Sequence, residues 1–257
     1  MKIIVIIPTY NEKESIGSLI DAVEKEFSSE GGSASGGKDV SSHEFVILVV
    51  DGNSPDGTIE IVKNKAKLYG NIEFIIEKEK RGLGMAYVAG MNHAIKELKA
   101  DAIIEFDGDF QHDPADIKRL IAEFDKGYDY VIGSRYVVGG GIPEEWALYR
   151  KLLSKYGSLY IKYVLSLPTN DNTSGLKLSR VKNFAEKLPL DEKRILSKQF
   201  AYKIHLLYEM AKMKAKIKEI PIKFLERKEG DSKSSLKDIL ESLRVVLVLF
   251  LRKLKND

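Results

Sequence analysis

Two aspartates separated by one residue are the sharpest chemical feature of the sequence. Asp107 and Asp109 come directly after an apolar run, Ala102–Phe106, and Gln111 follows two residues later. Carboxylates at the carboxyl end of a strand can point to one side and hold a hard divalent cation, which takes its other oxygens from phosphates and water. Gln111 could supply a third oxygen. The alternative is an acidic turn in solvent, and the position at a strand end favours the cation site.

A second polar string, Asp51–Thr58, follows another apolar run. Asp51 ends that run, so its carboxylate could accept a hydrogen bond from a ribose hydroxyl or from a base edge. Asp56 could cap a helix that begins near Thr58. The alternative is turn chemistry throughout, because Asn-Ser-Pro-Asp-Gly is a strong turn string. A third polar string, Pro8–Glu12, ends the first apolar run.

Short apolar runs alternate with amphipathic ones in the first half of the chain. Runs rich in Val, Ile and Phe predict buried strands of a mostly parallel sheet, and runs with helical periodicity predict helices between them. We therefore expect an α/β fold with helices on both faces of the sheet. The predicted strands are Ile3–Ile7, Phe45–Val50, Ile72–Ile76, Ala102–Phe106 and Tyr130–Ile132, and the predicted helices include Ile16–Phe27, Ile59–Leu68, Met85–Leu98 and Ala115–Phe124.

The second half of the chain has longer helical patterns. We expect one α/β domain over residues 1–235 and a separate C-terminal amphipathic helix over residues 236–257. Pro221 indicates that the strand containing it lies at an edge or at a bulge. The patterns predict helices over Trp146–Leu165, Phe200–Lys212 and Leu236–Leu254, and a strand over Ile217–Leu225.

Composition excludes several classes of protein. The 257 residues carry 41 Lys and Arg against 38 Asp and Glu, and this net charge of +3 does not favour a nucleic-acid binder. The absence of cysteine excludes disulfides and thiolate chemistry and favours a reducing compartment. A signal peptide is not expected, because Ile3–Ile7 is shorter than the ~7–15 residues required. The longest apolar run, Val245–Leu251, is far short of the ~18 residues of a membrane span.

Seven strings in this order resemble those of one family. The sequence is similar to the inverting family-2 glycosyltransferases with the GT-A fold, and within them to the dolichyl-phosphate (polyprenyl-phosphate) mannosyltransferases. The resemblance covers nearly the whole chain, and it implies a Rossmann-like, mostly parallel sheet flanked by helices, with the catalytic domain over residues 1–235. The strings are PTYNE at 8–12, VVDGNSPDGT at 49–58, RGLGMAYVAGMNHA at 81–94, FDGDFQHDP at 106–114, GSRYVVGG at 133–140, TSGLKLSR at 173–180 and EIPIKFLERKEGDSK at 219–233.

The resemblance implies an enzyme that transfers mannose from GDP-mannose to dolichyl or another polyprenyl phosphate. Such a lipid phosphate is already ionised near neutral pH, so no dedicated general base is expected. His112 is the nearest candidate, and we expect it to be structural. A bound Mg²⁺ or Mn²⁺ and basic side chains stabilise the departing diphosphate.

The family's functional residues can be placed on this sequence one by one. Three are expected to be catalytic, namely Asp109, Gln111 and Arg135. The expected nucleotide-sugar contacts are Pro8, Tyr10, Glu12, Asp51 and Asp107. The expected metal ligands are Asp107, Asp109 and Gln111. The phosphates of donor or acceptor are expected on Arg135, Arg150, Ser154, Arg227 and Lys233.

The sequence departs from the family pattern in three places. Gly52 stands where a second acid is usual, which removes a nucleotide contact and leaves open an alternative, a polyprenyl-phosphate glucosyltransferase or other hexosyltransferase that uses a UDP-sugar. Ser174–Lys177 replaces the usual Ser-Gly-Phe-Arg, and Asp171 matches a family acid only loosely. Residues 28–42, rich in Gly and Ser, are interpreted as an inserted surface loop.

The C-terminal helix pattern bears on the lipid. Val245–Leu251 is apolar and has basic neighbours, so the helix either lies on an anionic membrane surface or packs on the core or a second subunit. Tyr156, Tyr160 and Tyr163 are expected in the core. We expect a cytoplasmic protein, peripheral on the cytoplasmic face of a membrane, that needs a separate membrane-protein partner or none, and that binds no nucleic acid.

Overall fold

The computed structural model describes residues 1–27, 43–226 and 236–256. Seven strands form one sheet, and helices cover both of its faces. The strands are β1 (Lys2–Thr9), β2 (Glu44–Asp51), β3 (Ile72–Ile76), β4 (Ala102–Glu105), β5 (Tyr130–Ser134), β6 (Lys177–Arg180) and β7 (Ile217–Pro221). The helices are α1 (Lys13–Phe27), α2 (Thr58–Tyr69), α3 (Leu83–Lys96), α4 (Asp116–Asp125), α5 (Leu148–Leu165), α6 (Tyr202–Lys212) and α7 (Leu236–Asn256).

The strand order is β3-β2-β1-β4-β6-β5-β7. All neighbouring pairs are parallel except those of β6, which runs antiparallel to both β4 and β5. The predicted mostly parallel α/β sheet is therefore confirmed. Pro221 ends β7 at the edge of the sheet, as its missing N–H requires.

Each face of the sheet buries its own apolar layer because the side chains of a strand alternate between the faces. In β1, Ile4 and Ile6 join the layer that contains α3, α5, α6 and α7. Ile3, Val5 and Ile7 join the opposite layer with α1, α2 and α4. Burial on both faces explains why this strand is apolar throughout.

Helix α7 divides its surface between the core and the outside. Val245, Val246 and Leu249 are buried with residues of α6 and the sheet, so packing on the core is confirmed. The opposite side of α7 carries exposed leucines. The expectation that residues 28–42 form a surface loop falls outside the described residues.

The expectation that the α5 tyrosines lie in the core is wrong. Tyr156, Tyr160 and Tyr163 are exposed, whereas Ile161 and Leu165 make the buried contact of this helix. Helical periodicity identifies a common face, but it does not determine whether another element covers that face.

Candidate active site

The three polar strings meet at the carboxyl ends of β1, β2 and β4. Thr9 at the end of β1 pairs in register with Asp51 at the end of β2. On the other side of β1, Gly108 lies so close that a Cβ there would be 2.9 Å from the Pro8 carbonyl oxygen. This edge is where ligands bind in open α/β sheets, and the structure brings the predicted strings together there.

Asp51 is held firmly by its own turn. Its buried carboxylate accepts hydrogen bonds from the Thr9 hydroxyl at 3.0 Å, the Ser54 amide at 2.8 Å and the Ser54 hydroxyl at 2.7 Å. Asp56 likewise fixes the neighbouring backbone. Its carboxylate accepts hydrogen bonds from the Thr58 amide at the start of α2 and from the Lys13 amide at the start of α1. Contact of Asp51 with a nucleotide stays a prediction.

Tyr10 offers an aromatic surface at the same edge. The Lys80 ammonium lies 3.9 Å from the centre of its ring. Gly52 lies beside that ring, where a Cβ would be 3.3 Å from Tyr10 Cδ2. A side chain at residue 52 would therefore press against the Tyr10 ring, an aromatic surface on which a base can stack. Nearby, Pro8 is buried, and the Glu12 carboxylate accepts the Ser15 hydroxyl at 3.0 Å.

Asp107 is tied on both carboxylate oxygens. Tyr87 of α3 donates its hydroxyl to Oδ1 at 2.9 Å, and the Lys203 ammonium of α6 donates to Oδ2 at 2.9 Å. Burial alone would raise the pKa of Asp107. The charge of Lys203 and the neighbouring groups outweigh that effect and lower the pKa to about 2. Asp107 is therefore ionised at every physiological pH.

Asp109 and Gln111 lie on the loop that follows, both half-buried. Asp109 Oδ1 accepts the Gln111 amide at 3.2 Å, and the Gln111 side chain donates to the Leu225 carbonyl at 3.3 Å, beyond β7. Phe110 between them has a left-handed φ of 58°, which turns the chain sharply. The loop is thus anchored at both ends.

The oxygen atoms at this site suit a hard divalent cation whose coordination is completed by phosphates of the bound substrate. Within residues 1–27, 43–226 and 236–256, no group of three or more His, Asp or Glu gathers as a preformed metal site. Mg²⁺ is commonly held by one or two carboxylates together with water and substrate phosphates. Asp109, the nearby Asp107 carboxylate and the Gln111 amide provide oxygens of that kind.

Arg135 is paired with Asp171. Its Nε and Nη2 donate to the two Asp171 oxygens at 2.7 Å each, and Nη2 also donates to Thr173 at 2.8 Å. Asp171 is fully buried, and although burial raises its pKa, the Arg135 charge and hydrogen bonds lower that pKa overall. Nη1 donates no hydrogen bond within the described part of the chain, so it is the atom of Arg135 available to a phosphate.

The other expected phosphate residues divide between described and undescribed segments. Arg150 lies over the Trp146 ring, 3.8 Å from its centre, and Ser154 shares a 2.5 Å hydrogen bond with the Tyr136 hydroxyl. Both lie in the first turns of α5, so that helix positions them together. Arg227 and Lys233 fall outside the described residues.

His112 is buried beside Asp107. Its Nε2 lies 4.0 Å from Asp107 Oδ2, its ring meets Phe224 edge-on, and neither ring nitrogen has a hydrogen-bond partner within the described residues. Burial is the main cause that lowers the pKa of His112 to about 4. The imidazole is therefore neutral at physiological pH, which suits the structural role expected of it.

Helices α5 and α7 contact each other, and each carries a row of exposed apolar side chains; the two rows together are here called the two-helix face. The two helices contain nine Lys and Arg against two Asp and Glu, a charge of +7, whereas the whole chain carries only +3. The face consists of large side chains between 43% and 78% exposed: Leu148, Tyr149, Leu152, Leu153, Tyr156, Tyr160 and Tyr163 of α5, and Leu236, Leu240, Leu243, Leu247, Leu251 and Leu254 of α7.

Comparison with known proteins decides the family. The model of the family "Glycosyl transferase family 2" matches residues 4–186. The chain belongs to this family. It is 35% identical over 239 residues to the undecaprenyl-phosphate mannosyltransferase of Micrococcus luteus, covering 91% of this chain and 88% of that protein. It is 32% identical over 241 residues to the polyprenol monophosphomannose synthase of Mycolicibacterium smegmatis, covering 93% and 83%.

The fold of this family-2 glycosyltransferase also matches solved structures. One is the glucosyl-3-phosphoglycerate synthase of Mycobacterium tuberculosis in complex with Mn²⁺, UDP-glucose and phosphoglyceric acid. The TM-score is 0.63 at 16% identity, with 98% of this chain and 79% of that chain covered. This confirms the expected GT-A-like architecture, and the family match confirms that the chain is a glycosyltransferase.

None of the helices in the described part of the chain is long and apolar enough to cross a membrane.

Proposed function

We propose that this glycosyltransferase moves mannose from GDP-mannose to the phosphate of dolichol or another polyprenol, with inversion at the anomeric carbon. The observation that supports this most strongly is the similarity to two proteins named as polyprenyl-phosphate mannosyltransferases along more than nine-tenths of the chain. Asp107 and Asp109, here called the acidic pair, are consistent with a site for a donor diphosphate. The Tyr10 surface is consistent with a site for a base, and the basic start of α5 with a site for an acceptor phosphate.

The donor would lie across the ends of β1, β2 and β4. Tyr10 would stack with the base, while Asp51 and Glu12 would face the ribose and Pro8 would line the cleft. Asp107, Asp109 and Gln111 would hold Mg²⁺ or Mn²⁺, which neutralises charge on the leaving nucleoside diphosphate when bound. No step of this arrangement requires a side chain that gives or takes a proton.

The acceptor would approach from the start of α5. Arg150, fixed on Trp146, can grip a phosphate with two N–H groups, and the Ser154 hydroxyl lies one turn further on. Nη1 of Arg135 is the third donor in this proposal. Because the acceptor phosphate is already ionised, these residues need only position it in line with the anomeric carbon.

The two-helix face supports a site of action at a membrane. Exposed Leu and Tyr side chains with a basic surround suit the interface of an anionic bilayer, where each Lys or Arg contributes about 1 kcal/mol. We therefore propose that the enzyme is peripheral on the cytoplasmic face of a membrane. The absence of cysteine is consistent with this reducing compartment. The lipid phosphate would then reach Arg150 and Ser154 along α5 itself.

A second donor is favoured by one observation. Gly52 stands where the family usually has an acid, which removes one nucleotide contact, so a UDP-sugar such as UDP-glucose is the alternative donor.

A side-by-side transfer assay with a short polyprenyl phosphate tests the choice. We expect GDP-mannose to yield a lipid-linked sugar at least about tenfold faster than UDP-glucose, a ratio equivalent to about 1.4 kcal/mol of transition-state binding. Faster transfer from UDP-glucose contradicts the mannosyltransferase proposal and supports the alternative.

A further inference from the structure

Next to the acidic pair lie buried charged side chains that have no role in the proposed chemistry. Lys203 of α6 is only 1% exposed, and its Nζ lies 2.9 Å from Asp107 Oδ2. The preceding residue, Tyr202, donates its hydroxyl to Glu105 Oε2 at 2.7 Å. Two consecutive side chains of one helix therefore hold the two acidic residues at the end of β4.

Lys177 places a second ammonium in the same layer. It is the register partner of Glu105 across β4 and β6, it is fully buried, and its Nζ has no hydrogen-bond partner in the part of the chain that the structure describes. Together with Lys203, it balances the charges of Glu105 and Asp107. The positive charges of the two lysines thus neutralise that of Asp107, whereas Asp109 lies on the loop that follows β4.

Both carboxylate oxygens of Asp107 already have hydrogen-bond partners, although its side chain is 20% exposed. Tyr87 covers Oδ1 and Lys203 covers Oδ2. Gly175 packs so tightly beside Oδ2 that a Cβ there would lie 2.0 Å from it. A cation that binds Oδ2 must displace the ammonium or share the oxygen with it, and a cation at either oxygen is repelled by the positive charge of Lys203.

We propose that Lys203 is a positioning residue that holds Asp107 and competes with the divalent cation for it. Asp109 then carries the cation as the principal carboxylate ligand, and the cation binds weakly until a nucleoside diphosphate adds its own oxygens. The inference rests on the proposed function only in treating this cleft as the cation site.

Mn²⁺ binding measured by electron paramagnetic resonance, without nucleotide sugar or polyprenyl phosphate, tests the role of Lys203. K203Q removes the competing charge, so we expect about tenfold tighter Mn²⁺ binding in the absence of nucleotide. K203R keeps the pair and should match the wild type. The charge-neutral double variant K203Q/D107N should bind Mn²⁺ within about threefold of the wild type, because the pair is removed as a unit.

Two results would overturn the inference. If K203Q leaves Mn²⁺ affinity unchanged, Lys203 is merely structural. If K203Q/D107N loses Mn²⁺ as completely as D109N, Asp107 contributes as much to the cation site as Asp109, and Lys203 does not weaken that contribution. Thermal unfolding of each variant checks the fold, and the double variant avoids the unpaired buried carboxylate of K203Q.

The same measurement with saturating GDP separates this inference from the proposed function. Mn²⁺ bound by the wild type with GDP, but insensitive to K203Q with or without nucleotide, overturns the inference alone. No Mn²⁺ bound by any variant, even with GDP, contradicts the proposed function and the inference together.

Discussion

The two carboxylates of the acidic pair lie in different surroundings. Asp107 is pinned between Tyr87 and Lys203, and its removal would disturb buried partners. Asp109 accepts a hydrogen bond from the Gln111 amide on its own loop and is half-buried. Substitution of Asp109 therefore tests chemistry without removing the hydrogen-bond partner of Tyr87 and Lys203.

Asp109→Ala should lower sugar transfer at least about 100-fold while leaving the thermal midpoint close to that of the wild type, because it removes a cation ligand at the surface of the cleft. A transfer assay and a melting curve on the same preparation check this. Asp113→Asn, on the same loop, is the matched control, since Asn can still accept the Ala115 amide that Asp113 binds. Turnover of Asp109→Ala within tenfold of the wild type would refute the metal assignment.

Residue spacing alone predicts part of this site. The order of apolar runs and polar strings puts Asp51 and Asp107 at strand ends that meet, as the structure shows. Spacing cannot find Tyr87 and Lys203, because they come from helices 20 and 96 residues away from Asp107. Only the packing of α3 and α6 on the sheet brings them there.

At the level of the elements, α6 and α7 bury a histidine between them. His205 Nδ1 accepts the Leu196 amide at 3.3 Å, so the ring is neutral in the fold. Burial, with the Arg252 charge, lowers the pKa of His205 from 6.5 to about 4. The unfolded chain then binds a proton more readily than the folded one, so this contribution to stability is present above pH 6.5 and is lost as the pH falls toward 4.

His205→Gln keeps an acceptor for Leu196 and removes the titration. Between pH 7 and pH 5, the free energy of unfolding of the wild type should fall by about 2 kcal/mol more than that of the variant. Urea unfolding at the two pH values measures this. An identical pH dependence for both proteins would show that His205 does not titrate as its burial requires.

We expect the exposed leucines of the two-helix face to contribute to membrane binding. Replacing Leu240, Leu247 and Leu251 by Ser should weaken binding to vesicles containing anionic phospholipid at least roughly tenfold, because exposed apolar area is removed. Co-sedimentation measures this, and donor affinity should be unchanged. Deleting residues 236–257 is a poorer test, since it also removes the buried Val245 and Leu249.

Leu68→Ser on α2 is the control for that experiment, because Leu68 is as exposed as the leucines of the face but lies on another helix. Equal vesicle binding by the triple variant and by this control would leave the membrane proposal without support.

Most elements follow from periodicity, and the exceptions have physical reasons. Strand β6 is not predicted, because Lys177–Arg180 is short and polar, although the structure buries Lys177 fully between two neighbouring strands. Its burial depends on long-range pairing with β4 and β5 that no local pattern encodes. The same limit explains why the outward tyrosines of α5 are mistaken for core residues.

For the molecule as a whole, charge and hydrophobicity are concentrated on one side. The chain carries +3, but α5 and α7 alone carry +7, so the remainder is acidic overall. Because Arg150 and Ser154 belong to α5, the proposed acceptor site adjoins the two-helix face. This layout fits an enzyme that takes a water-borne donor from one side and a lipid from the other.

The proposed site itself is the central claim, and a crystal structure with GDP and Mn²⁺ tests it most directly. We expect one Mn²⁺ anomalous peak beside Asp109, with the diphosphate next to it and the base against Tyr10. A peak and a nucleotide bound away from the ends of β1, β2 and β4 would contradict the proposed site.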